Sequence, residues 1–462
     1  MTYLAGILLL IVIFVRPQEF VPALEGLPFL NAVVALGFIG IAYEFGTGQQ
    51  KDGKTPQGNL IIVYLIWCVI STMIQSGTEG FTTVKTDVGF SAIFCVIIMY
   101  GTRTPVRFIG LTTVLLGVAL FLATAATIQG RSPFLCIELD QDPETRGSGE
   151  VKSVGGECEN RRDCWDKDES FDDDPPFVCE KLGIAGTFST AGRVRWRGKL
   201  QDPNELSMTC SAALAFAFAF HGLLKSWWRH LMLGGAIAVT MYCVILSQSR
   251  GGTLVIGIIF LAAFVRRFGW KGALLGIAAA APGILLGGRS GEEAEASAEE
   301  RTDLLREGFE MMRQFPLGVG VRAFGDHTAT GLTAHNSYVL EAAEVGLPGM
   351  WLWALIVYTS IKIPYVVGFR SPAGLDPRIK GLGNGLFVAY CGMLVGIFFL
   401  SFAYHSVLWT FFGLSGGLYG VARRNDPTFE IKLSQKEIIG VCVSCVVFLI
   451  ALFGWLKVKG SH

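Results

Sequence analysis

Apolar residues in this chain run in long unbroken blocks rather than in the alternating stripes of amphipathic helices, and the polar residues gather between the blocks. A block of about 18 or more apolar residues matches the roughly 30 Å of hydrocarbon in a bilayer, whereas helices of a soluble core are shorter and interrupted by charge. Candidate spans lie near 2–15, 28–46, 59–75, 88–101, 107–128, 205–224, 231–248, 252–266, 271–287, 347–369, 383–403, 406–422 and 437–456. The pattern predicts an all-α fold, a polytopic transmembrane helical bundle of about 12–13 spans. Two long polar stretches interrupt it. The expected segments are N-terminal membrane helices over 1–128, a cysteine-containing loop over 129–204, membrane helices over 205–287, a second loop over 288–346 and C-terminal membrane helices over 347–462. Residues 1–15 lack a basic leading region and a small-residue cleavage site, so they read as a retained first span.

The placement of positive charge orients the spans, because short cytoplasmic loops retain Lys and Arg. One set of alternate loops holds Lys51, Lys54, Arg103, Arg107, Lys225, Arg229, Arg266 and Arg267, and later Arg423, Arg424, Lys432 and Lys436. The opposite short loops hold only Arg16, Lys85 and Arg250, with Lys457 and Lys459 in the tail. The N-terminus is therefore expected in the cytoplasm and both long loops on the outer face. Composition agrees with a membrane protein: 51% of residues are hydrophobic and 16% charged. The 38 basic and 38 acidic residues cancel, and no basic stripe stands out, so nothing favours a nucleic-acid partner.

Cys136, Cys158, Cys164 and Cys179 all fall in the first long loop, whereas the other seven cysteines lie in or beside apolar blocks and read as small buried hydrophobes. Four cysteines in a polar external insertion suit two disulfides, with three pairings open. Zinc is the rival, but the spacing lacks a Cys-x-x-Cys knuckle and no His is near. The insertion is also acidic, with Asp163, Asp166, Asp168, Glu169 and Asp172 to Asp174. Read as a calcium loop, it puts Phe171 where the turn needs Gly and Phe177 where a bidentate Glu belongs, which leaves a solvated acidic loop.

The segment 330–350 closes the second loop against the tenth span. His335 precedes a short helix that Asn336 or Ser337 can cap, and Pro348 suits the first turn of the following span. A His beside a helix N-terminus feels the positive end of the dipole, which disfavours imidazolium and suits a neutral base. Its bland reading is an interfacial residue bonded to a loop carbonyl. Glu341 and Glu344, three residues apart, read as a solvated helix face. Residues 292–314 are acidic and then amphipathic through Leu304, Leu305, Phe309 and Met312, as expected of a helix lying over the site.

The spacing His335-Asn336, nine residues, Gly346, two residues, Gly349 resembles the signature of the bacterial O-antigen ligase and Wzy-type polymerase superfamily. Phe315-Pro316-Leu317-Gly318-Val319-Gly320 is similar to the stretch that precedes the family's His. Arg195 to Ser207, with Gly198 and Asp202-Pro203-Asn204-Glu205-Leu206, resembles its Arg-x-x-Gly and Pro-Asn-x-Leu motif, and Ser249-Arg250-Gly251-Gly252 its Ser-Arg-Gly-Gly turn. The cysteine-bearing insertion 136–179 and an extra C-terminal span depart from the pattern and leave the acceptor open.

The resemblance implies a bacterial inner-membrane enzyme with a periplasmic active site that takes an undecaprenyl-diphosphate-linked glycan as donor. The acceptor would be lipid A core, another glycan or a protein side chain. Arg195, Arg250 and Arg322 would hold the diphosphate, since guanidinium stays charged and binds phosphate oxygens in pairs. Each has a bland reading as an interfacial snorkelling Arg. Asn204 and Asn336 would contact substrate, and His335 would take the acceptor proton in one inverting displacement. Metal and cofactor independence are what the resemblance implies. Within the family the alternatives are a Wzy-type polymerase and a protein O-oligosaccharyltransferase. A lipid or polysaccharide transporter, the reading from another class, would call for paired repeats and ionisable residues at mid-membrane. His405, in a short external turn, reads as structural; Asp326 and His327 are candidates to orient His335 or the acceptor.

Overall fold

The structure is a computed structural model, and it describes residues 1–50, 53–139, 151–164, 177–286, 292–370 and 374–459. In chain order its helices are α1 (Thr2–Leu10), α2 (Phe29–Gly46), α3 (Gly58–Ser76), α4 (Glu79–Val84), α5 (Phe90–Gly101), α6 (Pro105–Arg131), α7 (Pro203–Leu223), α8 (Trp228–Leu246), α9 (Arg250–Phe268), α10 (Lys271–Leu286), α11 (Glu292–Gln314), α12 (Ser337–Glu344), α13 (Gly346–Phe369), α14 (Pro377–Phe399), α15 (Ser406–Asn425) and α16 (Gln435–Lys459). Among the described residues, three strands, β1 (Phe134–Leu139), β2 (Val151–Glu157) and β3 (Phe177–Lys181), lie between α6 and α7.

Each stretch expected to span contains a helix, although the one expected over 383–403 ends at Phe399 and gives way to a turn, and the chain is a polytopic helical membrane protein. Among the described residues, ten helices are long and apolar enough to cross a bilayer. Thr2–Val15 and Lys271–Leu286 are apolar but shorter. Helices overrun the apolar blocks because backbone hydrogen bonding does not stop where hydropathy falls. The span expected over 88–101 begins at Glu79, continues through a π turn at Lys85–Gly89 and joins α5 without a break.

The described residues form two compact units. The first comprises Met1–Leu9, Leu30–Thr113 and Arg289–His462, and the second Leu10–Phe29 and Val114–Gly288. In the first, α15 packs along α5, and α13 packs against α3, α14 and α15. The core there is built around fully buried Trp353, Trp409, Tyr64, Phe411 and Phe412. Small residues let the α5 and α15 backbones approach: a Cβ on Gly413 would meet the Cys95 carbonyl at 2.7 Å.

In the second unit, α9 packs on α7 and α10 around Leu214, Val244, Ile256 and Phe260. The polar segment expected as a loop is a small sheet of order β2-β1-β3, antiparallel throughout. Disulfides join Cys136 to Cys164 and Cys158 to Cys179. Their adjacency brings the sulfurs of Cys136, Cys158 and Cys164 within 4.8 Å of one another. Asp163 caps a turn, its carboxylate accepting from the backbone N–H groups of Glu159 and Asn160. Asp166, Asp168, Glu169 and Asp172 to Asp174 lie outside the described residues.

Candidate active site

In the first unit, Asn336 has extended backbone angles and its side-chain oxygen accepts from the N–H groups of Tyr338 and Val339, each at 3.0 Å, so it is the cap of α12. Those bonds satisfy two of the helix's orphan donors. They also fix the amide: with Oδ1 used twice, Nδ2 is a buried donor that has no hydrogen-bond partner among the described residues. His335 precedes the cap at a φ of +47°. Left-handed backbone costs a non-glycine residue on the order of 1 kcal/mol and persists where neighbours impose it. Here the neighbours are plain. Thr333 bonds to Ser401 at 2.8 Å; the Ser337 hydroxyl donates to the Leu400 carbonyl at 2.6 Å and accepts from the Phe402 N–H at 2.7 Å. The half-buried imidazole is thus carried on a backbone pinned on both sides to the turn 400–405.

The C-terminal end of α12 is held as firmly. Its carbonyls at Ala343 and Glu344 accept from the N–H groups of Val319 (2.9 Å) and Gly320 (2.8 Å). On the other side α3 supplies donors: Ser71 to the Leu317 carbonyl (2.6 Å), Gln75 to Gly318 (3.0 Å) and Trp67 to Val345 (2.7 Å). This close weave explains three glycines. Gly346 has a φ of +70°, and a Cβ there would lie 2.6 Å from the Pro316 carbonyl oxygen. At Gly318 it would lie 2.2 Å from the Glu344 oxygen. Gly349 sits one turn into α13, where a Cβ would press on the Val345 side chain at 2.4 Å and on Trp67 at 3.0 Å.

Glu341 and Glu344 are not the solvated face expected from their spacing; both are buried. Glu344 accepts from the backbone N–H groups of Arg322 (3.0 Å) and Phe324 (3.3 Å), so its carboxylate shapes the loop that carries Arg322. Glu341 accepts from the Tyr64 hydroxyl at 2.8 Å. Burial raises the pKa of Glu341 well above the carboxylate range and that of Glu344 to about 7, the backbone donors opposing the shift at Glu344. Burial raises the Tyr404 hydroxyl, and the charges of Glu341 and Glu344 raise it further. The sequence does carry a signal for this. Val339, Leu340, Ala342 and Ala343 leave Glu341 and Glu344 as the only charged positions of α12, as suits an enclosed helix rather than a surface one.

Arg322, at a φ of +66°, is about half exposed and forms an ion pair with Asp87 at 2.9 Å. Asp87 lies in the π turn that precedes α5, a distortion often found at functional sites. Hydropathy reading starts the span at 88 and leaves Asp87 in a short loop, where nothing marks it. His327 bonds through Nδ1 with the Ala323 carbonyl oxygen and sets its ring edge on Phe315. His405 caps α15 by accepting from the Val407 N–H and stacks on Phe402. The amphipathic α11 lays Phe309 and Met312 against Ala342, Met350 and Leu449, so it packs on α12 as its sequence suggested.

The second unit holds the remaining sequence candidates. Arg195 donates from Nε to the Phe188 carbonyl at 2.8 Å and lies 4.2 Å above the Phe188 ring. Asn204 is engaged on both sides of its amide, accepting from Arg193 at 3.1 Å and donating to Asp202 at 2.8 Å. Arg193 also reaches the Ser247 carbonyl at 2.8 Å, tying the start of α7 to the end of α8. Arg250 is exposed at the first residue of α9, where the helix dipole disfavours a cation. Its placement is therefore not explained by helix stability. The adjoining Ser249 caps α9, and Gly252 admits the Ser207 side chain, which a Cβ would meet at 2.2 Å.

No curated protein matches the chain. A family model described as O-Antigen ligase matches residues 235–354, from α8 through Arg250 and Arg322 to the first turns of α13, with Arg195 and Asn204 lying before the matched stretch. Over the part of the chain that contains His335, Gly346 and Gly349, this match bears out the resemblance to the O-antigen ligase superfamily of membrane enzymes.

Proposed function

We propose that the protein transfers a glycan from an undecaprenyl-diphosphate carrier to an acceptor hydroxyl, with His335 as the general base on the periplasmic face of a bacterial inner membrane. The observation that carries this reading is the construction around His335. A half-buried imidazole sits on a backbone held at positive φ, next to the buried Nδ2 donor of Asn336 and ahead of a helix whose far end fixes the Arg322 loop. Such investment in one side chain's position is characteristic of a group that must meet a reacting atom.

In the proposed step the acceptor oxygen bonds to the anomeric carbon and its proton passes to His335. The bond from the anomeric carbon to the diphosphate oxygen breaks, inverting the centre, and the electron pair leaves on the carrier diphosphate. Arg322 offsets the growing negative charge, with Asp87 holding its guanidinium in place. Asn336 donates to a substrate oxygen. The parts assigned to Arg195, Arg250 and Asn204 rest on motif order, and the glycan, the acceptor and the choice between ligase and polymerase rest on the family.

Complementing a deletion strain with His335→Ala tests this. The expected result is normal protein level with the glycan left on its carrier. Products capped at a single repeat would support the polymerase reading, while wild-type glycosylation would remove His335 from the chemistry.

A further inference from the structure

At the other end of α15 from the turn that braces His335, the first unit contains a second, basic cavity. It is about 440 Å³ in volume and is lined by Gln50, Lys54, Arg103, Arg423 and Arg424, with Gly48, Gln49, Gly420 and Pro427 completing the wall. No carboxylate is among these described lining residues. Arg423 lies seventeen positions along α15 from Ser406, so at 1.5 Å per residue the two ends stand about 25 Å apart. This cavity is therefore a separate site at the opposite membrane surface, the one to which the Lys and Arg distribution assigns the cytoplasm.

The wall is built rather than fortuitous. Arg103 is buried, with its guanidinium 4.2 Å over the Tyr100 ring and a bond to the Gly53 carbonyl. Arg423 is steadied by the Tyr419 hydroxyl and the Phe429 carbonyl. Gln50, 9% exposed, donates through Nε2 to Glu44 and to the Tyr100 carbonyl, each at 2.8 Å. Two acceptors on that nitrogen fix the amide's orientation, and Oε1 remains a buried acceptor with no hydrogen-bond partner among the described residues. Glu44 itself is neutralised by Arg107 at 2.8 Å. A concave wall of four cations with one waiting acceptor matches a phosphoryl group that carries a hydroxyl or ammonium donor close by.

We propose that this cavity binds the phosphoryl headgroup of an anionic membrane lipid, with Lys54, Arg103, Arg423 and Arg424 on the phosphate and Gln50 on the neighbouring donor. The site does not depend on the glycan-transfer reading. The test uses the full-length protein in detergent, titrated with dihexanoyl phosphatidylglycerol, dihexanoyl phosphatidylcholine or inorganic phosphate, with binding read by native mass spectrometry and by melting temperature. Wild type should bind the phosphatidylglycerol at least tenfold more tightly than the phosphatidylcholine, and Arg423→Gln/Arg424→Gln should lose that preference. The single variant Arg424→Gln, altering an exposed residue, should lose part of it and guards against misfolding of the double. Inorganic phosphate that binds as tightly as phosphatidylglycerol would keep the phosphoryl site but make its ligand a soluble phosphate, overturning the lipid assignment. Equal binding of both lipids, or a preference unchanged in the variants, overturns the site.

Discussion

At the residue scale the site rests on a few positions whose environments are unusual. His335, Asn336, Gly346 and Gly349 are legible from spacing because each has a local job that only a few residue types can do: a cap, a left-handed backbone, a close approach. Glu344 is not legible in that way, since a carboxylate three residues from another on a helix ordinarily faces water. Its burial has a consequence for pH. The folded pKa, about 7, lies above the ordinary value of 4.5, so the neutral form favours folding. That stabilisation is fully present below about pH 4.5 and is lost as pH rises through about 7. Glu344→Gln should therefore flatten the decline in melting temperature across this window, measured in detergent at a series of pH values. A decline as steep as that of wild type would show that another group titrates there. Gly346→Ala combines a left-handed φ with a backbone clash and should destabilise by on the order of 3 kcal/mol, read as a lowered melting temperature; an unchanged value would show that the segment 316–317 yields.

At the element scale the apolar blocks report helices well and report little else. The expected spans are present as helices because about 20 residues of apolar sequence leave the backbone no alternative in lipid. The sheet was hidden. Its strands are short, β2 is mostly exposed, and the polar residues between them carry no strong alternation. The disulfide pairing was equally beyond sequence, for Cys136 and Cys179 stand directly opposite on β1 and β3 yet each joins a third partner. Peptide mapping under non-reducing conditions should recover Cys136 with Cys164 and Cys158 with Cys179. Cys136 linked to Cys179 would contradict the structure. Opening both bonds should cost the sheet about 2–4 kcal/mol each and expose it to protease, since each closes a loop of more than 20 residues.

At the scale of the whole molecule, hydropathy was enough for a polytopic bundle because the bilayer imposes one length and one polarity on every span. Charge bias adds a direction, and that direction can be measured. Thr330 and Lys436 are both exposed. Thr330→Cys should react with a membrane-impermeant thiol reagent from outside the cell, and Lys436→Cys only after permeabilisation; the reverse pattern would invert the topology and remove the periplasmic assignment. The proposed transfer depends most on one imidazole accepting a proton. Its most direct test is single-turnover transfer by purified protein from a lipid-diphosphate-linked glycan to an acceptor, comparing wild type with His335→Ala. Loss of a general base predicts a rate lower by about 10²–10⁴-fold with donor binding retained. A variant that transfers glycan at the wild-type rate would contradict it.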